Sequence, residues 1–314
     1  MKIKHLATKI LCGILLVAGI AVSGIFTGFA QAASTAVLSV EGELINRIGE
    51  MQPGKSYDGV IKVRNKSNME ADVKFYATGY YVEGESYAPV YPEEGDRALI
   101  MKWVEFEEEK AKIAPGEAVE VKYTISVPKD APAGGQYATI MAETEPDESG
   151  TIQANARVGQ IVISYVSGET TKCGKIQSTS IAGFLVNPPI TASAIVENCG
   201  NVDLDAEYIL KVYPLFSDEE IYTTEENPET KIILPDTRRM HSVSWAAAPS
   251  IGIFRAEEIV RINGEETVAS KFIVILPIWL IVLILVAIAA IVFRVITISK
   301  TRKQATNRPA PKKK

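Results

Sequence analysis

The chain has 314 residues, with 33 Lys and Arg against 38 Asp and Glu, only 2 His and 3 Cys. All 38 acidic residues fall between 33 and 271, where 22 basic residues leave a net charge of −16, while the tail from Arg294 onward carries +8. One histidine, His241, lies outside the N-terminal apolar stretch and its flank, so a Ser-His-Asp or Cys-His constellation would have to be built on it.

Three lysines (Lys2, Lys4, Lys9) precede an apolar run from Ile10 to Ala30, which ends in the small residues Ala30-Gln31-Ala32. Basic start, apolar middle and small-residue site predict a secretory signal over 1–32, cleaved after Ala32, the alternative being an uncleaved anchor because the apolar part is long for a signal. Cys12 lies inside the run with no lipobox before it, which argues against a lipoprotein.

The next 240 or so residues suffice for two domains of ordinary size, and none of them carries sustained helical periodicity. Alternating or β-branched segments recur instead, at Ala36–Val40, Tyr57–Arg64, Ala71–Thr78, Val119–Val127, Gln136–Glu143 and Val158–Val166. Pro-Gly and Asn- or Asp-rich turns separate them, a spacing that predicts an all-β fold of sandwich type.

An internal repeat divides this region. Val63-Arg-Asn65-Lys-Ser-Asn68-Met-Glu-Ala-Asp72-Val-Lys-Phe75 aligns without gaps on Val196-Glu-Asn198-Cys-Gly-Asn201-Val-Asp-Leu-Asp205-Ala-Glu-Tyr208. Ile113-Ala-Pro115 matches Ile233-Leu-Pro235, and Ala131-Pro132-Ala-Gly-Gly135-Gln-Tyr137 matches Ala248-Pro249-Ser-Ile-Gly252-Ile-Phe254. Three motifs in one order predict two tandem immunoglobulin-like β-sandwich domains, 33–167 and 168–268, with the boundary near Ser167-Gly168. Tyr137, at the corner after the Pro132-Ala-Gly-Gly135 crossing, is expected to pack under the crossover loop in a structural role.

The first copy holds an insertion: Asn65 to Pro115 is 50 residues, whereas Asn198 to Pro235 is 37. Phe75, Tyr76, Tyr80, Tyr81, Tyr87, Tyr91 and Trp103 surround it. Phe75 and Trp103 read as core. Tyr80, Tyr81, Tyr87 and Tyr91 form the candidate ligand-binding loop, Gly79 to Gly95, where aromatic faces suit a sugar ring or a protein partner. In the second copy Cys173 and Cys199 are predicted to form a disulfide closing a loop of about 26 residues. No His partners them and their spacing is wrong for zinc, so no metal and no cofactor is expected.

Catalytic signals are weak. No Gly-x-Ser-x-Gly motif is present, and the acidic runs Glu105–Glu109, Asp218–Glu220 and Glu225-Glu226 read as solvated faces rather than a glycosidase pair. Leu234-Pro235-Asp236-Thr237 imitates a sortase signal, but Arg238 stands where Gly belongs and the repeat already accounts for Pro235 as a turn.

Phe272 to Phe293 is 22 residues without a charge, about 33 Å as a helix, and is predicted to cross a membrane once. Arg294, Lys300, Arg302 and Lys303 follow, which by the positive-inside rule makes 294–314 a cytoplasmic tail and the acidic region extracellular. Beside such a helix, basic residues serve as a stop-transfer and lipid-contact device, not as a nucleic-acid site.

Pro53-Gly54, Ile61-Lys-Val-Arg-Asn65-Lys-Ser, Ile113-Ala-Pro115-Gly116-Glu and Val127-Pro-Lys-Asp-Ala-Pro132-Ala-Gly-Gly135, in this architecture, resemble the WxL-interacting protein family of Gram-positive bacteria. By motif the resemblance covers about 50 residues of the 314. It implies a non-enzymatic, membrane-anchored surface protein that binds peptidoglycan through its first domain and another exported surface protein through its second. The same motifs also resemble strands of periplasmic pilus chaperones, which keeps open an assembly chaperone or appendage subunit acting by strand addition.

Overall fold

The computed structural model describes residues 37–145 and 156–306, with side chains described as far as 298. The expected signal at 1–32, the tail beyond 306 and the side chains of Lys300, Arg302 and Lys303 lie outside the described residues.

The first sandwich opens with a strand that changes sheets. Leu38–Glu41 (β1) pairs with Ser56–Asn65 (β3), while Ile45–Met51 (β2) crosses over and runs parallel to Arg157–Val166 (β11). One sheet has the order β1-β3-β9-β7, with β9 at Ala118–Ser126 and β7 at Val104–Phe106. The facing sheet has the order β2-β11-β10-β4-β8, with β10 at Gly134–Thr144, β4 at Ala71–Gly79 and β8 at Lys110–Ile113. Alternation places Ile61, Val63, Val121, Tyr123 and Ile125 inward against Val73, Phe75, Ala138 and Ile140, all buried. The Tyr123 ring crosses Gly59, where a Cβ would stand 2.2 Å from it, so that position needs glycine.

The second sandwich repeats the plan. Gly174–Ile181 (β12), Ile190–Asn198 (β14) and Arg238–Trp245 (β18) make one sheet in the order β12-β14-β18. The other has the order β13-β20-β19-β15-β16, from Phe184–Leu185, Glu265–Ile275, Gly252–Ile262, Leu204–Pro214 and Tyr222–Thr223, and Glu229–Ile233 (β17) also pairs with β15.

The repeat is exact enough to reproduce single hydrogen bonds. Asn65 donates through Nδ2 to the carbonyls of Met69 (2.7 Å) and Ile113 (2.9 Å), and accepts the Ser67 amide (2.9 Å). Asn198 donates to Val202 and Ile233 (both 2.8 Å) and accepts the Gly200 amide (2.8 Å). Gly116 and Asp236 both turn with positive φ and send their amides to the carbonyls of Asn65 and Asn198. Aspartate thus fills the turn that glycine makes in the first copy, since Asp tolerates left-handed backbone. Cys173 and Cys199 are disulfide-bonded with Cα atoms 4.9 Å apart, next to the second Asn turn.

Two boundaries move. Residues 272–275 belong to β20 and not to the membrane helix: Ile273 and Ile275 are buried in the sandwich core, while Phe272 points out. The second sandwich therefore runs past 268. Pro277 ends the ladder, because it has no amide to offer and disfavours helix in the residue before it. The C-terminal helix spans Ile278–Thr306, and its stretch Ile278–Ile298 is long and apolar enough to cross a membrane. Arg294 lies in the last turn of that stretch, not beyond it.

Candidate functional site

The insertion folds as a hairpin of Tyr81–Glu83 (β5) and Ala88–Val90 (β6), followed by a 3-10 turn at Leu99–Trp103. Its tip reaches the second sandwich. Tyr87, held at φ 63°, sets its hydroxyl between the Leu234 amide, which donates to it, and Thr237 Oγ1 at 3.1 Å. Thr237 in turn donates to the Leu234 carbonyl (2.7 Å), which leaves its Oγ1 free to accept from Tyr87. The Arg239 guanidinium lies 4.2 Å from the Tyr87 ring centre, a cation-π contact. The Met240 amide donates to the Glu85 carbonyl (2.9 Å), so the hairpin caps part of the free edge of β18.

Tyr80 and Tyr87 pack with Val82, Tyr137, Ile163 and Leu234 in an apolar cluster shared by both domains. Tyr137 therefore faces the seam, its ring folded over Gly135, where a Cβ would meet the hydroxyl at 2.1 Å. Burial pushes the phenols of Tyr80 and Tyr87 up. Around the cluster Arg47 bridges to Asp203 and Asp205, and Arg97 reaches Asp236 (2.6 Å) and the Asn201 carbonyl (3.1 Å).

The four candidate tyrosines thus separate. Tyr80 and Tyr87 serve the seam, while Tyr81 and Tyr91 remain 38% exposed. Tyr91 borders an outer groove of the first domain, about 430 Å³, lined also by Tyr76, Met101, Lys102 and Arg157. Arg157 lies 5.8 Å from the Tyr91 ring centre, and Tyr76 donates to Glu143 (2.6 Å). Aromatic faces beside cationic side chains are suited to a polar ligand with an apolar face. Arg157 lies 66 residues from Tyr91 in sequence, and only strand pairing brings the two together.

His241 lies on the inward-facing row of β18. Its Nε2 is 2.8 Å from Glu229, and its ring meets Tyr208 edge-on at 4.9 Å. Burial and the Lys231 charge push its pKa down, partly offset by Glu229. That set ties the start of β17 to the middle of β18.

The molecule is a tandem pair of immunoglobulin-like sandwiches joined through an apolar seam and followed by a helix of membrane-spanning length. No family model matches the chain, and no curated protein matches it. Among solved structures it is similar to the class 5 fimbriae chaperone CfaA, at 13% identity and TM-score 0.37, covering 74% of this chain and 98% of that one. It is also similar to the CsuC–CsuE chaperone–tip subunit complex of Acinetobacter baumannii (11%, TM-score 0.36, 76% and 98% covered). The E. coli chaperone DraB stands alike, at 10% identity and TM-score 0.36, with 76% and 96% covered.

Proposed function

We propose that this chain is a non-enzymatic, membrane-anchored surface protein of the WxL-interacting type, which holds cell-wall polymer or another exported protein outside the membrane. The observation that carries the reading is the Tyr91–Arg157 groove. It lies on the domain farther along the chain from the helix, and that domain is locked to the second by the hairpin. The first domain meets the second at the Asn263–Gly264 end of β19–β20, opposite the Ile275 end that leads to the helix. The groove-bearing domain is therefore not the one tied to the anchor. The test is retention of the tagged full-length chain on purified wall and, separately, on solubilised envelope proteins. Deleting the whole insertion would open the seam, so the informative variants are Tyr91→Ala and Arg157→Ala. Loss of a specific partner in both supports the reading; no retention of the wild-type chain by either bait overturns it.

A second reading, an assembly chaperone or appendage subunit working by strand addition, is favoured by the edge of β20. Among the described residues, Phe184–Leu185 covers only Val274 and Ile275 there, which leaves Glu265–Phe272 paired on one side alone. Slowed amide exchange along 265–272 when a partner is added would select it over the groove.

A further inference from the structure

Several exposed apolar side chains of the second domain gather at one end. In β20, Val274 sits level with Phe184 on one side and Ile253 on the other, and Phe184 and Ile253 are 53% and 44% exposed. Because Phe254 pairs with Pro214, the β15–β16 turn lies at the same end and carries Phe216, which is 96% exposed. Gly252 pairs with Ile275, so the β18–β19 loop with Ile251 (47% exposed) is there too. At the opposite end, the β19–β20 hairpin turns at Asn263 and Gly264, with Ile262 buried and Glu265 and Glu266 exposed.

Only Leu276 and Pro277 separate Ile275 from the helix, which begins at Ile278. Three peptide steps reach at most about 11 Å. The stretch Ile278–Ile298 is 21 residues long, about 31 Å, so it occupies a whole hydrocarbon core of about 30 Å and puts Ile278 at its boundary. The headgroup layer beyond is about 5–7 Å deep. A domain tied that closely has its lower loops at the headgroups, and Trp279 in the first helical turn suits the same depth.

We propose that this end of the second domain docks on the bilayer, with Phe216 and Ile251 entering the interface and Phe184, Ile253 and Phe272 lying against it. The proposal rests on the helix crossing a membrane. The partner is the zwitterionic interfacial layer and not an anionic headgroup, because Phe216 is followed by Asp218, Glu219 and Glu220. Asp218 is paired with Arg255 (3.0 Å) and Glu220 approaches Lys211 (3.9 Å), which limits the desolvation that docking imposes on that loop.

The test uses the full-length chain in phosphatidylcholine bilayers, with a nitroxide at Phe216→Cys, at Glu265→Cys or at Leu285→Cys, read by accessibility to a water-borne and a lipid-borne relaxant. Phe216 is so exposed that a label there disturbs no packing. Docking is expected to shield the label at 216 from the water-borne relaxant while leaving the label at 265 open to it. A label at 285 buried in lipid with 216 as water-accessible as 265 overturns the docking alone. A water-accessible label at 285 overturns the membrane reading and the docking with it.

Discussion

Glu258 lies on the inward row of β19, opposite Leu210 and Ala269, fully buried and with neither carboxylate oxygen hydrogen-bonded. Burial alone pushes its carboxyl up to about 7. An acid whose folded pKa is raised makes its full contribution below the unfolded value of about 4.3 and loses it as pH climbs through the folded one, on the order of 3 kcal/mol in all. The second domain should therefore lose stability between about pH 4 and pH 7. Glu258→Met should raise its thermal midpoint more at pH 8 than at pH 5; an equal gain at both would mean the carboxyl is solvated or partnered. Asn65 and Asn198 run the other way, each buried, with four and three side-chain hydrogen bonds that tie its own turn to the strand end at Ile113 or Ile233. Asn198→Ala leaves two buried carbonyls without donors and should cost about 2–4 kcal/mol. Asn65→Ala should cost less, because its Met69 acceptor is only part-buried and water can reach it. Denaturant unfolding checks this, and a wild-type midpoint would show that water replaces the amide. These asparagines were legible in the sequence because each sits in a gapless repeat. Glu258 was not, since one Glu among 38 acidic residues gives no sign of facing inward.

Strands with clean alternation, such as β3 and β9, were readable from the residues, because their apolar sets line one face. The crossing of β1 into β2 was not, because β2 is fixed by a partner strand more than 100 residues away. The short edge strands were not either, because two to four residues carry too little pattern. Nor was the start of the membrane helix: Phe272-Ile-Val-Ile275 is apolar enough for lipid, and only the ladder to β19 claims it for the sandwich. The hairpin is the sharpest case. Four tyrosines on an inserted loop look like a binding site, and whether they face outward or into a neighbouring domain depends on where that domain lies. Tyr87→Phe removes the hydroxyl shared by Leu234 and Thr237 while keeping the ring under Arg239. It should cost about 1–2 kcal/mol of seam stability, and Tyr87→Ala more, because ring burial is lost as well. Calorimetry of the two variants should show the domains melting apart while each domain's own transition barely moves. A single unshifted transition would mean the hairpin merely lies against the seam.

Across the whole molecule, two forces act on the seam in opposite directions. Between residues 33 and 167 the net charge is −9, and between 168 and 271 it is −7, so the domains repel at low salt. Against that stand the ion pairs of Arg47 and Arg97. Asp203 is buried, while Arg47, Arg97, Asp205 and Asp236 are exposed or half-buried. The exposed pairs are each worth no more than about 1 kcal/mol and screened by salt. Salt therefore weakens the repulsion and the bridges together. What it does not weaken is the apolar cluster of Val82, Tyr137, Ile163 and Leu234, all buried, whose side chains contribute about 1.5–3 kcal/mol each on full burial. By magnitude the cluster decides the geometry. Spin labels at Glu120→Cys and Glu265→Cys should give one narrow distance distribution in 0.1 M and in 1 M salt, order-of-magnitude conditions at which the screening length falls from about 10 Å to about 3 Å. Leu234→Ala should broaden it at either salt, whereas Arg47→Ala with Arg97→Ala should leave it nearly as narrow. If the arginine pair broadens the distribution and Leu234→Ala does not, the seam is electrostatic, and the angle at which the groove meets its ligand would follow ionic strength.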